Sequence, residues 1–350
     1  MTVHPLGIGI RGLALSADEA RFLRETPPFG VVLFARNVES AEQVRELVRE
    51  IKSQAEIPPL VMIDEEGGRV DRLRRLVPGI PGASHASLSR EPERFALQLG
   101  RSIGLLLRHV GVDVNLAPVV DVERDVPVHG LEDRSWGRSL DSVVNLAGAF
   151  VQGQRWAGVG NCLKHFPGMG GGEDDPHKGT SNVRLSRAEI LNTDLAPFRA
   201  LGGVVHAIMI GHCVYTQIDP RNPATLSPEL STSLLRRELS FEGLAVSDDL
   251  EMHAVSDLGS YPEVASLAIR AGSDVVLVCS RLDAAAEIVH SIREEEGAND
   301  EIRRRLAESD ERSSRFRAHI RFLRERSRTG QTSMELVESS FERLNSTLPA

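Results

Sequence analysis

The chain has 350 residues, with 41 Lys+Arg against 50 Asp+Glu for a formal charge of −9, 41% apolar residues and 4% aromatic ones. This balance excludes a nucleic-acid binder driven by bulk positive charge, and 30 Gly with 18 Pro, ordinary globular proportions, speaks against a collagen-like or disordered chain. The length suits one barrel-sized domain or two ordinary ones.

The longest strongly apolar run, Val275 to Cys279, has the length of a strand and not of a membrane helix. Met1 to Ile10 has neither a basic leader nor a long apolar stretch, so the expectation is a soluble, cytoplasmic protein with no secretory signal and no membrane partner. Cys162, Cys213 and Cys279 lie far apart inside apolar runs, a pattern for buried reduced thiols and not for disulfides or a metal site. Nearly all basic charge is arginine, since the only lysines are Lys52, Lys164 and Lys178.

In chain order, strand-length apolar runs occur at Leu6 to Ile10, Gly30 to Ala35, Leu60 to Ile63, Val112 to Val120, Cys162 to Phe166, Ala207 to Val214, Gly243 to Ser247 and Asp274 to Cys279. Amphipathic stretches lie between them, such as Ala41 to Ile51, with Val44, Leu47, Val48 and Ile51 on one face. Leu282 to Ile292 has the same pattern, with Leu282, Ala285, Ile288, Val289 and Ile292. Repeated strand, crossover helix and strand predict an α/β fold, a closed (β/α)8 TIM barrel, with a doubly wound open sheet as the alternative. Residues 1–292 form the expected barrel domain. From 293 to 350 a charged helical tail is expected, with Leu306, Phe316, Ile320 and Leu323 packing on the barrel or on a partner. The oligomeric expectation is a monomer or a weak homo-oligomer.

Polar chemistry sits at one end of these runs. Their C-terminal edges carry Asp64-Glu65-Glu66, Asn115 to Asp121, Lys164-His165, His212, Asp248-Asp249 and Ser280. In a parallel barrel all of these converge on the face where sites are built.

The strand ending in Lys164-His165 opens a loop with Gly168, Gly170, Gly171 and Gly172, a segment suited to close approach to a ligand, though the Gly-Lys-Ser/Thr ending of a phosphate loop is missing. Asp175 and His177 lie two residues apart, so in extended backbone both side chains project the same way, and the carboxylate can orient an imidazole that titrates near neutrality. Ser247-Asp248-Asp249 delivers a carboxylate at a strand end, where the plain alternative is a helix cap. The acids from Asp64 to Glu66, or His165, His177, Asp174 and Asp175 together, could hold a divalent metal. No His-Glu-x-x-His and no His-x-His after an early strand accompany them, and the expectation is a site without metal or cofactor.

Six collinear motifs match one family. Ile63-Asp64-x-Glu66-Gly67-Gly68-Arg69-Val70, Asn115-Leu116-Ala117-Pro118-Val119-x-Asp121-Val122 and Asp133-Arg134-Ser135 come first. Lys164-His165-Phe166-Pro167-Gly168, Asp175-x-His177 and Phe241-x-Gly243-x-x-x-Ser247-Asp248-Asp249-Leu250-x-Met252 follow. Together they resemble the family 3 glycoside hydrolases, and among them the single-domain bacterial β-N-acetylhexosaminidases of cell-wall recycling.

The resemblance implies a TIM barrel that removes terminal β-linked N-acetylglucosamine with retention of configuration. It implies Asp248 as nucleophile, His177 as general acid and base with Asp175 as its partner, and Asp64, Arg72, Arg134, Lys164 and His165 as sugar-holding residues. Glu65, Glu66, Asp249 and His212 would support these. The chain departs from the cell-wall enzymes at Met169, where many have His, and at Pro176, where many have Ser; Pro176 restricts its own φ and biases Asp175 towards extended backbone. A phosphorylase, a family 3 glycosidase of other sugar preference and a non-catalytic sugar-binding barrel are the alternatives.

Overall fold

The computed structural model describes residues 3–124, 130–172, 181–327 and 332–348. Its main sheet is parallel and carries the strands His4–Gly9 (β1), Pro28–Leu33 (β2), Leu60–Ile63 (β3), Val114–Asn115 (β4), Gly160–Asn161 with Leu163–Phe166 (together β5), Ala207–Ile210 (β6), Leu244–Asp249 (β7) and Val275–Val278 (β8). The two pieces of β5 close the sheet, because the first pairs with β4 and the second with β6. The open doubly wound alternative is thereby excluded, since β1 also pairs with both β2 and β8.

The fourth predicted strand, Val112 to Val120, is regular only over Val114–Asn115, because Pro118 has no amide hydrogen for the ladder. The extended chain beyond it still bonds to β5 through its carbonyls, Cys162 N to Ala117 O at 3.1 Å and Lys164 N to Pro118 O at 3.2 Å.

Helices cover the outside of the barrel. Ala17–Glu25 (α1) starts with a Ser16 capping box, and Ala41–Ser53 (α2) is capped by Ser40 and buries Val44, Leu47, Val48 and Ile51, the face its periodicity predicts. Pro92–Val110 (α3) and Leu140–Ala157 (α4) pack closely, for Gly100 and Gly153 sit where a β-carbon would strike the backbone of the other helix. Both end on a left-handed glycine, Gly111 and Gly158. Tyr261–Ala271 (α5) and Leu282–Ala298 (α6) complete this part of the layer; α6 buries Ala284, Ala285, Ile288, Val289 and Ile292 and runs past the predicted Ile292.

Alternate residues of the strands fill the barrel. Leu60 and Met62, Val114 and Leu116, Ala207 and Met209, Leu244 and Val246, and Val275, Leu277 and Cys279 form one interior cluster. The intervening Val61, Ile63, Ile208, Ile210, Ala245, Val276 and Val278 join the cluster beneath the helices. Strands buried on both faces read as unbroken apolar runs, which is why they were visible in the sequence.

The charged tail does more than cover a side. Asp300–Arg326 (α7) crosses the barrel floor, where the N-terminal ends of the strands lie, and inserts Phe316 and Ile320 into the interior cluster with Phe29, Cys162 and Leu244. Between them Arg317 donates to Pro58 O at 2.8 Å and Phe29 O at 2.6 Å, closing carbonyls at the starts of β2 and β3. Asp274, fully buried beside β8, accepts from Arg305 at 2.7 Å and Arg312 at 2.9 Å of α7 and from Arg236 at 2.6 Å. Asp113 beside β4 does the same for Lys52 at 2.9 Å and Arg324 at 2.5 Å. Leu323 is buried and Leu306 half-buried. A last helix, Met334–Asn345 (α8), lies against α3, with Ser340 and Ser102 sharing a buried 2.7 Å hydrogen bond. No helix among the described residues is long and apolar enough to cross a membrane.

Candidate active site

The parity that fills the barrel with apolar side chains delivers charge at its mouth. Leu60 and Met62 are followed two residues later by Asp64, Cys162 by Lys164, and Leu244 and Val246 by Asp248, so these three groups stand on the interior side at the C-terminal ends of β3, β5 and β7.

Lys164 and Arg134 tie the mouth together. The Lys164 ammonium sits 2.6 Å from Asp64 Oδ1 and 2.7 Å from Glu66 Oε1, and Arg134 grips Glu66 with two bonds of 2.8 Å. Burial opposes ionisation of Glu66, but Arg134 and Lys164 override it and hold this carboxyl far below the usual range. Burial likewise opposes the Lys164 charge, and Asp64 and Glu66 raise it above the ordinary lysine value. Opposite charges alternate here, two cations against two carboxylates.

Arg134 Nη2 also approaches His165 Nε2 at 3.4 Å. On its other side the ring places Nδ1 2.8 Å from Asp121 Oδ2. Asp121 is fully buried and also accepts from the amides of His165 at 3.3 Å and Met169 at 2.8 Å. Sequence reasoning placed Asp121 in a motif and gave it no role. It is the residue that fixes the His165 ring and the start of the glycine-rich loop, and its position at a predicted strand end was the available signal. Met169, the departure from the family pattern, is buried and contributes its backbone amide.

Glu65 scaffolds the loop that aims Arg72. It is fully buried and accepts from the amides of Gly67 at 3.1 Å, Arg72 at 2.8 Å and Leu73 at 3.0 Å, while Asn115 holds its backbone from both sides. Burial and the neighbouring Asp71 push its carboxyl well above the ordinary glutamate value. The Arg72 guanidinium lies 5.7 Å from the Phe34 ring centroid; its buried Nε has no partner, and among the described residues it makes no ion pair. Of the two predicted sugar-holding arginines, it is the one without an ion pair among the described residues.

Asp248 Oδ1 accepts from the Asp249 amide at 2.8 Å. Burial works against its charge, and His212, His165, that amide and Lys164 together keep its carboxyl below the ordinary aspartate value. His212 Nε2 donates to the Asp249 carbonyl at 3.0 Å and its Nδ1 meets the Thr225 hydroxyl at 2.7 Å, which fixes the ring beside Asp248. Asp249 goes the other way: burial, Glu251 and then the charge of Asp248 raise it to about 7.

The structure thus brings Asp64, Lys164, His165, Arg134 and Asp248 to one mouth with Arg72 at its edge. Asp175 and His177, with Asp174 and Pro176, lie outside the described residues. The chain on either side of that segment is anchored: Tyr215 donates to Gly168 O at 2.8 Å, Gly172 bridges to Val183, and Asn182–Val183 pairs with Val214–Tyr215. Gly170 is required, since a β-carbon there would lie 2.0 Å from the Val122 carbonyl oxygen. Among the described residues no three His, Cys, Asp or Glu side chains are arranged to hold a metal ion.

Residues 9–308 match the model of the glycosyl hydrolase family 3 N-terminal domain. The chain is 36% identical over 293 residues to a β-hexosaminidase of Tolumonas auensis, spanning 83% of this chain and 86% of that one. To a β-hexosaminidase of Thioalkalivibrio sulfidiphilus it is 37% identical over 306 residues, 84% of this chain and 86% of the other. Among solved structures, a family 3 β-N-acetylglucosaminidase from Paenibacillus sp. superposes with a TM-score of 0.88 at 30% identity, covering 99% of this chain and 69% of that one. NagZ from Neisseria gonorrhoeae in complex with N-trifluoroacetyl-D-glucosamine superposes with a TM-score of 0.76 at 29% identity, covering 93% and 98%.

Proposed function

Because the chain belongs to glycosyl hydrolase family 3, we propose that it is a cytoplasmic, retaining β-N-acetylhexosaminidase that removes terminal β-linked N-acetylglucosamine from peptidoglycan fragments or chitooligosaccharides. The observation that carries the reading is the place of Asp248: a carboxylate on the interior side at the end of β7, among groups able to hydrogen-bond sugar hydroxyls. The names of the relatives, β-hexosaminidase and β-N-acetylglucosaminidase, support the sugar.

In the proposed reaction an Asp248 carboxylate oxygen attacks the anomeric carbon as the bond to the leaving oxygen breaks, and His177, paired with Asp175, gives that oxygen its proton. His177 then takes a proton from water, which attacks the same carbon and releases Asp248, so two inversions give retention. Lys164, Asp64, Arg134, His165 and Arg72 hold the sugar. Their alternating charges are fixed beforehand, so stabilisation at the reacting ring requires little reorganisation. Most retaining glycosidases pair two carboxylates. An imidazole as acid avoids repelling an anionic leaving group, such as a lactate-bearing sugar.

The test is release of 4-nitrophenol from its β-N-acetylglucosaminide with chelator present. Wild type is expected to turn over, and Asp248→Asn to lose a factor of about a thousand or more. Folded wild type with no turnover would refute the reading, and an active Asp248→Asn would refute the nucleophile.

A further inference from the structure

On the barrel floor, remote from the mouth, a cleft of about 590 Å³ opens between α2, α3 and the C-terminal part of α7, lined by Arg45, Arg49, Lys52, Arg108, His109 and Arg324. Its cations exceed its counter-charges. Asp113 is buried and already engaged by Lys52 and Arg324, and Glu46 pairs with Arg49. Arg45 and Arg108 make no ion pair or side-chain hydrogen bond among the described residues, and Arg324 Nε and His109 Nε2 are buried donor or acceptor atoms with no partner.

Cations in the last turn of a helix suit its dipole, and Lys52 and Arg324 do bond the Gly111 carbonyl at 3.0 and 3.2 Å. That accounts for those two. It leaves Arg45 unexplained, although Arg45, Arg49 and Lys52 are spaced i, i+4, i+7 on one face of α2, where like charges repel. Burial and the charge of Arg324 pull both Lys52 and Arg108 below their ordinary values, with Asp113 opposing, as expected of cations crowded together.

We propose that this floor cleft binds a multivalent anion of the phosphate class, free or carried on a nucleotide, with Arg45, Arg49 and Arg108 as its principal contacts. Guanidinium forks match phosphate oxygens in pairs, and the volume falls within the range of small-molecule sites. A bound anion bridges α2 and α3 to Arg324 and so fastens α7 to the barrel.

The test is isothermal titration calorimetry of the full chain with inorganic pyrophosphate at about 0.15 M ionic strength, where weak surface attraction is largely screened. Saturable binding is expected, weakened at least about tenfold by Arg45→Ala with Arg108→Ala. Arg45 is exposed, so the Arg45→Ala single variant keeps the test open if the double variant does not fold. Titration with ADP separates the sources: tighter binding than pyrophosphate means a nucleotide, equal binding means the phosphate group alone, and both support the site. Binding that matches sodium chloride at equal ionic strength, or that is unchanged in the variants, overturns it. Turnover of the aryl glycoside is measured in parallel and is independent of this outcome.

Discussion

Asp274→Asn tests whether a single buried charge fastens the tail to the barrel. The side chain is fully buried, and three guanidiniums from two elements converge on it at 2.6 to 2.9 Å, with the Ala245 amide at 2.8 Å. Asparagine keeps the volume, so no cavity forms, and the loss is the counter-charge for Arg236, Arg305 and Arg312. Removing one partner of a buried ion pair costs about 3–5 kcal/mol. Glu308 lies within 3.4 Å of both Arg305 and Arg312 and takes up part of their charge, which points to the lower end. An unfolding entropy of about 2.1 cal/mol/K per residue gives roughly 1.4 °C per kcal/mol for this chain, hence a fall of about 4–7 °C in Tm. Circular dichroism melting at neutral pH reads this directly. Because the change is at the floor, turnover well below Tm should stay within about twofold of wild type. A shift below about 1 °C would show that the apolar insertion of Phe316 and Ile320 holds α7 unaided.

Three further outcomes are expected from the mouth. Asp121→Asn removes the charge that holds His165 and leaves Arg134 less balanced; kcat should fall by about 10- to 100-fold with a smaller change in KM, and an effect confined to KM would contradict an orienting role for Asp121. Arg72→Met keeps the packing on Phe34 and removes the donors; KM should rise by about tenfold, corresponding to about 1.4 kcal/mol, with Tm unchanged, and a fall in Tm alone would assign Arg72 to the scaffold. Asp249 binds its proton more tightly in the native state, up to about 7 against an ordinary 3.8, so its contribution favours folding at low pH and is lost as pH rises from about 4 to about 7. Asp249→Asn should therefore gain Tm relative to wild type at about pH 8 more than at about pH 5, and a gain independent of pH would place the effect elsewhere.

Much of the site was legible because strands that fill a parallel barrel betray their parity. Apolar residues at alternate positions ending in Asp64, Lys164 and Asp248 fix which acids and bases face the mouth, and that pattern needs no partner strand to be read. The face of α2 was equally plain, since local periodicity and a Ser40 cap set it. The run through Pro118 was read as too regular a strand, because Pro118 takes one amide out of the ladder and the remaining bonds depend on what β5 offers opposite them.

What only tertiary structure decided is long-range. That Asp121 holds His165, and that Glu66 and not Asp64 receives the fork of Arg134, depend on groups dozens of residues apart. The tail is the clearest case. Its sequence shows alternating charge with a few apolar residues, which by composition is a solvated helix. Its role as the barrel floor arises because Asp113 and Asp274, at the starts of two separate strands, meet its arginines only once the barrel has closed. Sequence determines which side chains share a face of one element, because that follows from backbone geometry alone; which buried charges meet is set by the packing that brings distant elements together.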